Sequence, residues 1–376
     1  MGRPRIGLIV NPVAGLGGRF ALKGTDGAAL ERALERGALP VAPERARRAI
    51  LRLVASGGGF DLVAGAGSMG EESAEAAGLA PALVLGAPKA RTSAEDTRAM
   101  VAEMAGLGLD IVLFAGGDGT ARDVLDALGS RLPILGIPSG VKMHSAVFAT
   151  SPEAAGEVAA SFVHGRIRLA DAEIMDIDEA ALRAGRLSAR LYGHARVPLL
   201  RRLVQGPKMG ATPDGDGELA ALCDLLAAEA EPGRLLILGP GTTLARVKAR
   251  LGIEGTLAGI DVVRGRNLAA KDADEARILA LLDAEQANAL PPQVIVGVVG
   301  GQGFLFGRGN QPLGPQVLRR VGRSQIVIAA AAEKILSLDP PYLRVDTGDP
   351  DTDRWLCGHL AVRTGPKRSL IVKVTA

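Results

Sequence analysis

Residues 111–120 read IVLFAGGDGT, and residues 121–129 continue ARDVLDALG. An apolar run of strand length passes into a turn with three glycines around one carboxylate, and the turn passes into a segment of helical spacing. Glycine has no Cβ, so a backbone built from Gly116, Gly117 and Gly119 leaves room for a ligand to come close. A helix starting here would turn its unpaired N–H groups and the positive end of its dipole toward an anion, with Thr120 in its first turn. Asp118 is then the large polar group at the strand tip. Two readings of it stand: a carboxylate that does chemistry, or an aspartate that caps the helix after a tight turn.

Outward from this turn, the first 150 residues keep one rhythm. Apolar runs RIGLIV (5–10), FDLVAGA (60–66), PALVLG (81–86), DIVLFAG (110–116) and PILGIP (133–138) alternate with helical segments such as APERARRAILRLVASG (42–57) and SAEDTRAMVAEMAGLG (93–108). Ser93 and Asp96 have the spacing of a capping box. The pattern predicts an α/β fold with a doubly wound parallel sheet. Ligands of such sheets lie beyond the carboxyl ends of the strands, where Asn11 and Asp118 both fall. Asn11 and the loop of residues 14–19, with Gly15 and Gly17, are expected to approach the phosphates of a nucleotide. The alternative is an Asn-Pro turn followed by a flexible glycine loop. After the fifth run, Ser139 and Gly140 could donate hydrogen bonds to a triphosphate, Lys142 could neutralise one and His144 could bond one, or the last two could be merely solvated.

The GGDGT turn resembles that of the superfamily containing NAD kinases, diacylglycerol kinases and sphingosine kinases. IGLIVNPVAGLGGR (6–19) resembles the first strand and Asn-Pro-x-Ala-Gly loop of the same superfamily. LKGTDG (22–27), GIPSGVKMHSAVFA (136–149) and the tail resemble the bacterial ATP-NAD kinase branch that includes the acetoin-catabolism X proteins. The likeness runs over nearly the whole chain. It implies ATP with Mg2+, a hydroxyl as acceptor, Asp118 as general base or as the group that orients that hydroxyl, and a homo-oligomer. Phosphoryl transfer asks for an in-line acceptor and neutralised phosphate charge more than for covalent chemistry, and a base adds about 10²- to 10⁴-fold. The leading expectation is NAD as acceptor, giving NADP. The alternatives are another small phosphorylated sugar, nucleotide or lipid hydroxyl, or a sensor that binds a metabolite without turnover. Two features of the NAD-kinase pattern are missing: an Asn-Glu pair in the second domain and Asn-x-Gly-x-Leu-Gly-Phe after the fifth strand. Asp123 sits where lipid kinases often carry an acidic residue.

Residues 151–165 read as a linking helix, which sets a nucleotide-binding kinase domain at 1–150 and a second domain at 151–376. Within the second, ADAEIMDID (170–178) and GRLSARLYGHARVP (185–198) alternate as a β-hairpin connected by residues 179–185. Residues 233–300 make an additional α/β unit: strand, Gly-Pro-Gly-Thr-Thr turn and helix in RLLILGPGTTLARVKARLG (234–252), then TLAGIDVVRG (256–265), a helix over 272–285 and the strand QVIVGVVG (293–300). The turn is similar to the phosphate loops of sugar-phosphate isomerases. Gly239, Gly241, Thr242, Thr243 and Asp261 are therefore a second candidate phosphate loop, with a plain structural turn as the alternative. GGQGFLFGRGN (300–310) and VDTGD (345–349) could close over it, and residues 301–376 are expected to return to strands.

Composition narrows the classes. The 376 residues suffice for two full cores, and 47% hydrophobic with 3% aromatic describes a globular, aliphatic chain. A net charge of +3 without a long basic block, and few aromatics for stacking, argue against nucleic acid. RARR (45–48) and Arg201–Arg202 read as solvated helix faces. Two cysteines, Cys223 and Cys357, without metal-site spacing suit a reducing cytoplasm. No apolar run is long enough for a membrane span, and the five-residue run before Asn11 and Pro12 reads as a strand rather than a leader. Asp118, Asp123, Asp346 and Asp349 could hold metal only if they converge, so metal ligands stay unassigned.

Overall fold

The five apolar runs form β1 (Arg5–Val10), β2 (Asp61–Gly65), β3 (Leu83–Leu85), β4 (Ile111–Gly116) and β5 (Ile134–Pro138). This is seen in a computed structural model that describes residues 2–21, 34–57, 59–141, 143–177, 189–199, 216–285, 290–299 and 303–376. The five strands are parallel in the order β3-β2-β1-β4-β5. The chain thus winds from β1 outward to β3 and then restarts at β4 on the other side. The order reverses between β1 and β4, and that is where an open parallel sheet offers a crevice at its carboxyl ends.

Helices α1 (Ala42–Ala55), α2 (Glu71–Glu75), α3 (Ala94–Met104), α4 (Asp118–Leu128) and α5 (Pro152–Val163) accompany the sheet. The capping box at α3 is present, with Asp96 N–H donating to Ser93 Oγ and Ser93 N–H donating to the Asp96 carboxylate at 2.8 Å. Ser151 caps α5 by accepting from Ala154 N–H at 3.1 Å. Five residues, EESAE, are too few to show a periodicity, which is why α2 is invisible to a pattern reading.

Side-chain alternation along the strands divides the first core into two layers. Ile6, Leu8 and Val10 of β1 with Ile111, Leu113 and Ala115 of β4 face α1 and α5. Ile9, Val112 and Phe114 face α3 and α4 with Phe148, whose ring meets Phe114 edge-on at 5.4 Å. Gly156 lets α5 lie directly on α1, since a Cβ there would stand 2.3 Å from the Ala49 carbonyl.

The hairpin strands β6 (Leu169–Ile177) and β7 (Ala189–Pro198) pair antiparallel with an irregularity between Ile174 and Met175, and their expected connection lies outside the described residues. Ala172, Ile174, Ala195 and Val197 pack into the same layer as α4. The hairpin therefore belongs to the first compact unit, past the single cut near residue 150 that the sequence suggested. That unit holds the described residues 2–16, 34–177 and 189–199, and the second holds residues 17–21 and those from 216 onward.

The second unit begins with α6 (Asp216–Ala228), β8 (Leu235–Leu238), α7 (Thr242–Arg250), β9 (Asp261–Arg264) and β10 (Asn267–Ala270). It continues with α8 (Glu275–Ala284), β11 (Gln293–Val296), β12 (Phe304–Phe306), α9 (Pro315–Val321), β13 (Ile326–Ala329) and α10 (Ala332–Leu336). It closes with β14 (Tyr342–Val345), α11 (Pro350–Leu356), β15 (Gly358–Arg363) and β16 (Ser369–Thr375). All nine strands form one mixed sheet, β10-β9-β8-β11-β13-β15-β16-β14-β12. Strands β8, β11, β13 and β15 are its parallel centre. The strand after α7 is antiparallel to β8, so the anticipated α/β unit is not a simple parallel crossover.

One charge reading changes. RARR is not a solvated face: Arg45 is buried and its Nε donates to the Pro138 carbonyl, while Arg48 forms a bidentate pair with Glu153 of α5 at 2.7 and 3.0 Å. Arg47 alone keeps to its own helix, paired with Glu44. Arg201 and Arg202 lie outside the described residues. Among the described residues, no helix is long and apolar enough to cross a membrane.

Candidate functional site

Three loops meet at the carboxyl ends of β1, β4 and β5. Asn11, just past β1, spans the point where the strand order reverses: its N–H donates to the Ala115 carbonyl at 2.9 Å and its Nδ2 donates to Thr120 Oγ1 at 3.0 Å. Its Oδ1 meanwhile accepts from Val13 N–H at 3.2 Å, closing an Asx turn that shapes the Asn-Pro loop. The third loop is tied to the second through one carbonyl, that of Gly116, which accepts from Ser139 N–H at 2.9 Å and Gly140 N–H at 3.1 Å.

These ties explain the glycines. A Cβ on Gly116 would stand 2.4 Å from the Thr120 side chain, and one on Gly140 would stand 2.8 Å from the Gly117 Cα. Gly15 has φ +82°, and a Cβ there would meet the Ser139 carbonyl at 2.2 Å. Gly119 differs from all of them. A Cβ there would meet only an Arg122 nitrogen, at an ordinary 3.7 Å, so the fold leaves room for a methyl at this solvent-facing glycine.

Asp118 is the first residue of α4 and makes no cap for its own helix. Its carboxylate instead accepts from two backbone amides of the third loop, Oδ2 from His144 N–H at 2.8 Å and Oδ1 from Ser145 N–H at 3.0 Å. The fully buried Ser145 hydroxyl also bonds Asp118, and its oxygen accepts from Met175 N–H of β6 at 3.0 Å. Burial pushes the Asp118 carboxyl above the usual carboxylate range, against the downward pull of Ser145, the two amides and the Arg122 charge. A carboxylate oriented in this way and made more basic is suited to hold a proton. The first-turn amides of Asp118, Gly119 and Thr120 have no acceptor within α4, as at any helix start.

Several expected donors turn out to be committed. The Ser139 and Gly140 amides go to Gly116 as described, and the Ser139 hydroxyl donates to the Ile137 carbonyl at 3.1 Å. These two residues place the loop, and their polar hydrogens are spent within the protein. Lys142 lies outside the described residues. Gly17 belongs to the second unit with residues 18–21, where Arg19 pairs with Glu275 at 3.5 Å. Asp123 pairs with Arg98 of α3. Sequence reading missed Ser145 and Arg45, because an isolated serine or arginine carries no signal until the chain folds.

In the second unit, the Gly-Pro-Gly-Thr-Thr turn does join β8 to α7, with Gly241 at φ 108° as the residue before the helix and its N–H donating to the Leu257 carbonyl at 2.8 Å. Asp261, grouped with that turn from sequence, has other work. It is fully buried, 2.8 Å from the equally buried Lys248, and accepts from Thr256 N–H at 2.6 Å and Asp272 N–H at 2.9 Å. Burial raises this carboxyl, but Lys248 and the two amides outweigh burial and hold it below the usual carboxylate range. Asp261 is thus a buried ion-pair partner whose oxygens are taken up by Lys248 and the two amides.

Of the four aspartates weighed as metal ligands, Asp349 caps α11, accepting from Thr352 Oγ1 at 2.6 Å, and Asp346 pairs with Arg308 at 3.2 Å. The described residues contain no group of three or more His, Cys, Asp or Glu side chains placed to hold a metal.

Comparison with known proteins matches this architecture on both sides. Residues 6–167 match the ATP-NAD kinase N-terminal domain, a stretch that takes in all three loops, and residues 232–374 match the ATP-NAD kinase C-terminal domain. No curated protein matches the chain. With both domain models placed in order along the sequence, and with the reversal-point turn built as described, the chain belongs to the ATP-NAD kinase family.

Proposed function

We propose that the protein is an ATP-dependent kinase that transfers a phosphoryl group to a hydroxyl, with NAD as the acceptor and NADP as the product. The observation that carries the reading is Asp118: a half-buried carboxylate, fixed by two backbone amides, at the strand-order reversal of a parallel sheet, beside helix amides and a glycine that the fold itself does not require. Asp118 takes the proton of the acceptor hydroxyl as its oxygen bonds the γ-phosphorus of ATP and the bond from that phosphorus to the bridging oxygen breaks, releasing ADP. Gly119 and the first turn of α4 receive triphosphate oxygens, and Asn11 keeps the loop after β1 in register with Thr120. Mg2+, brought in with ATP, would supply neutralisation of phosphate charge. The Gly239–Thr243 turn is a second phosphate receiver, for a phosphorylated acceptor, supported by its strand-turn-helix form. The protein acts in the cytoplasm as a homo-oligomer.

The test is NADP formation from ATP, Mg2+ and NAD, with Asp118→Asn alongside. Formation by the wild-type chain and its loss in a folded variant supports both acceptor and base. Undiminished turnover in the variant overturns the role of Asp118. ATP-dependent stabilisation without NADP moves the acceptor to a phosphorylated sugar or nucleotide.

A further inference from the structure

Arg122 lies one helical turn after Asp118, and Asp126 one turn after that, so the three share a face of α4. The guanidinium of Arg122 is partly exposed and turned back along the helix. It folds back until one nitrogen is 3.7 Å from where a Cβ of Gly119 would stand, at the rim of the glycine turn. Two residues of the hairpin fix it there. Asp176 of β6 forms an ion pair with it, and the ring of Tyr192 from β7 lies under the guanidinium at 5.8 Å. Each is itself held. Asp176 is also bonded by Arg190 of β7 at 2.9 Å, and the Tyr192 hydroxyl donates to Asp126 at 2.8 Å.

We propose that Arg122 is a positioning residue for Asp118, its charge held against the glycine turn by Asp176 and Tyr192 so that the carboxylate remains ionised and able to take a proton. The placement makes physical sense of an otherwise costly arrangement. A half-buried carboxylate that has lost much of its hydration tends to become neutral, and a neutral acid cannot act as base. Other charges near α4 are already matched to partners: Arg98 of α3 bonds Asp123 and Glu95, and Asp126 accepts from Tyr192. His144 presents its backbone amide to Asp118. Arg122, one turn along the same helix face, is the charge among the described residues that pulls the Asp118 carboxyl downward against burial.

The inference rests on Asp118 being the base, so its test needs a readout that does not depend on turnover. The amides of His144 and Ser145, which bond the Asp118 oxygens, provide one: their NMR shifts titrate with that carboxyl, and the titration disappears in Asp118→Asn. In Arg122→Gln the midpoint moves to higher pH, and in Arg122→Lys, which keeps the charge, it returns most of the way. If kinase activity is found, the acid limb of kcat/KM moves in the same direction. An unmoved midpoint in Arg122→Gln overturns the proposal, as does a lysine variant indistinguishable from glutamine. Because the amide titration is read whether or not NADP is made, failure of the kinase reading leaves this result intact. Arg122 is a third exposed, so both variants are expected to fold, and thermal unfolding of each checks it.

Discussion

Replacing Gly119 with alanine separates what the fold needs from what a ligand needs. At Gly116, Gly117 and Gly140 an added methyl meets protein: 2.4 Å to Thr120, 3.2 Å to the Gly140 Cα and 2.8 Å to the Gly117 Cα. The last two contacts are backbone on backbone and cannot be relieved by a rotamer change, so Gly140→Ala should cost about 1–3 kcal/mol. In a unit of this size that lowers Tm by about 2–4 °C per kcal/mol. At Gly119 the methyl finds only the Arg122 nitrogen at 3.7 Å, an ordinary contact, and Gly119 is the second residue of α4 with no positive φ. Alanine is preferred over glycine in a helix by about 0.5–1 kcal/mol, so Gly119→Ala should leave Tm unchanged or raise it by about 1–4 °C. The same methyl projects into the space assigned to phosphate. Calorimetry with and without ATP therefore gives opposite signatures: Gly140→Ala unfolds early, whereas Gly119→Ala is as stable as the parent but loses most of its ATP-induced rise in Tm. A Gly119→Ala protein that unfolds several degrees early would show that the fold demands this glycine. One that keeps the full ATP-induced rise would show that no ligand comes close to it.

Asp118→Asn should lower turnover about 10²- to 10⁴-fold without unfolding the chain, read by initial rates beside circular dichroism. Because burial raises the Asp118 carboxyl in the folded state, its contribution to stability is fully present below the ordinary carboxylate range and is lost as pH rises through the raised value. Denaturant titrations at rising pH should therefore show the asparagine variant gaining on the parent, and a gap that does not change with pH would contradict this. Asp261→Asn leaves Lys248 buried beside a neutral group and should cost about 3–5 kcal/mol in urea unfolding. Asp261 has the opposite sign, lowered in the folded state, so the parent loses that stability as pH falls below the ordinary carboxylate range. Asn11→Ala removes the bond to Thr120 and the Asx turn together, for a loss of about 1–3 kcal/mol and weaker ATP binding by calorimetric titration. Gly307→Ala, with φ +88° and a would-be Cβ 1.8 Å from the Asp346 carbonyl, should unfold the second unit at lower temperature than any surface change there.

Local order was legible because it rests on short-range physics. Runs such as RIGLIV and DIVLFAG must hide their apolar side chains, glycine turns must bend, and Ser93 with Asp96 caps whatever helix follows, so strands, helices and the turn at Asp118 can be read in place. The parallel sheet follows from their alternation, and with it the location of Asn11 and Asp118 at the strand ends. What each polar atom does there was not legible, because hydrogen-bond partners are chosen across distances in sequence that carry no periodic mark. Asp118 bonds residues 26 and 27 positions away, Asn11 reaches Thr120 across 109, and Arg45 reaches Pro138 across 93. The same limit hid the spent amides of Ser139 and Gly140 and the buried pairing of Asp261 with Lys248. It hid the hairpin's place as well: alternation shows that β6 and β7 have an apolar face, but only the folded chain shows that this face covers α4 and brings Asp176 and Tyr192 to Arg122. Sequence by itself determined the five strands of the parallel sheet, most of their helices and the end of the sheet at which Asn11 and Asp118 lie. Tertiary structure decided which donors are already committed within the protein, since burial and pairing are properties of neighbours that the linear order does not contain.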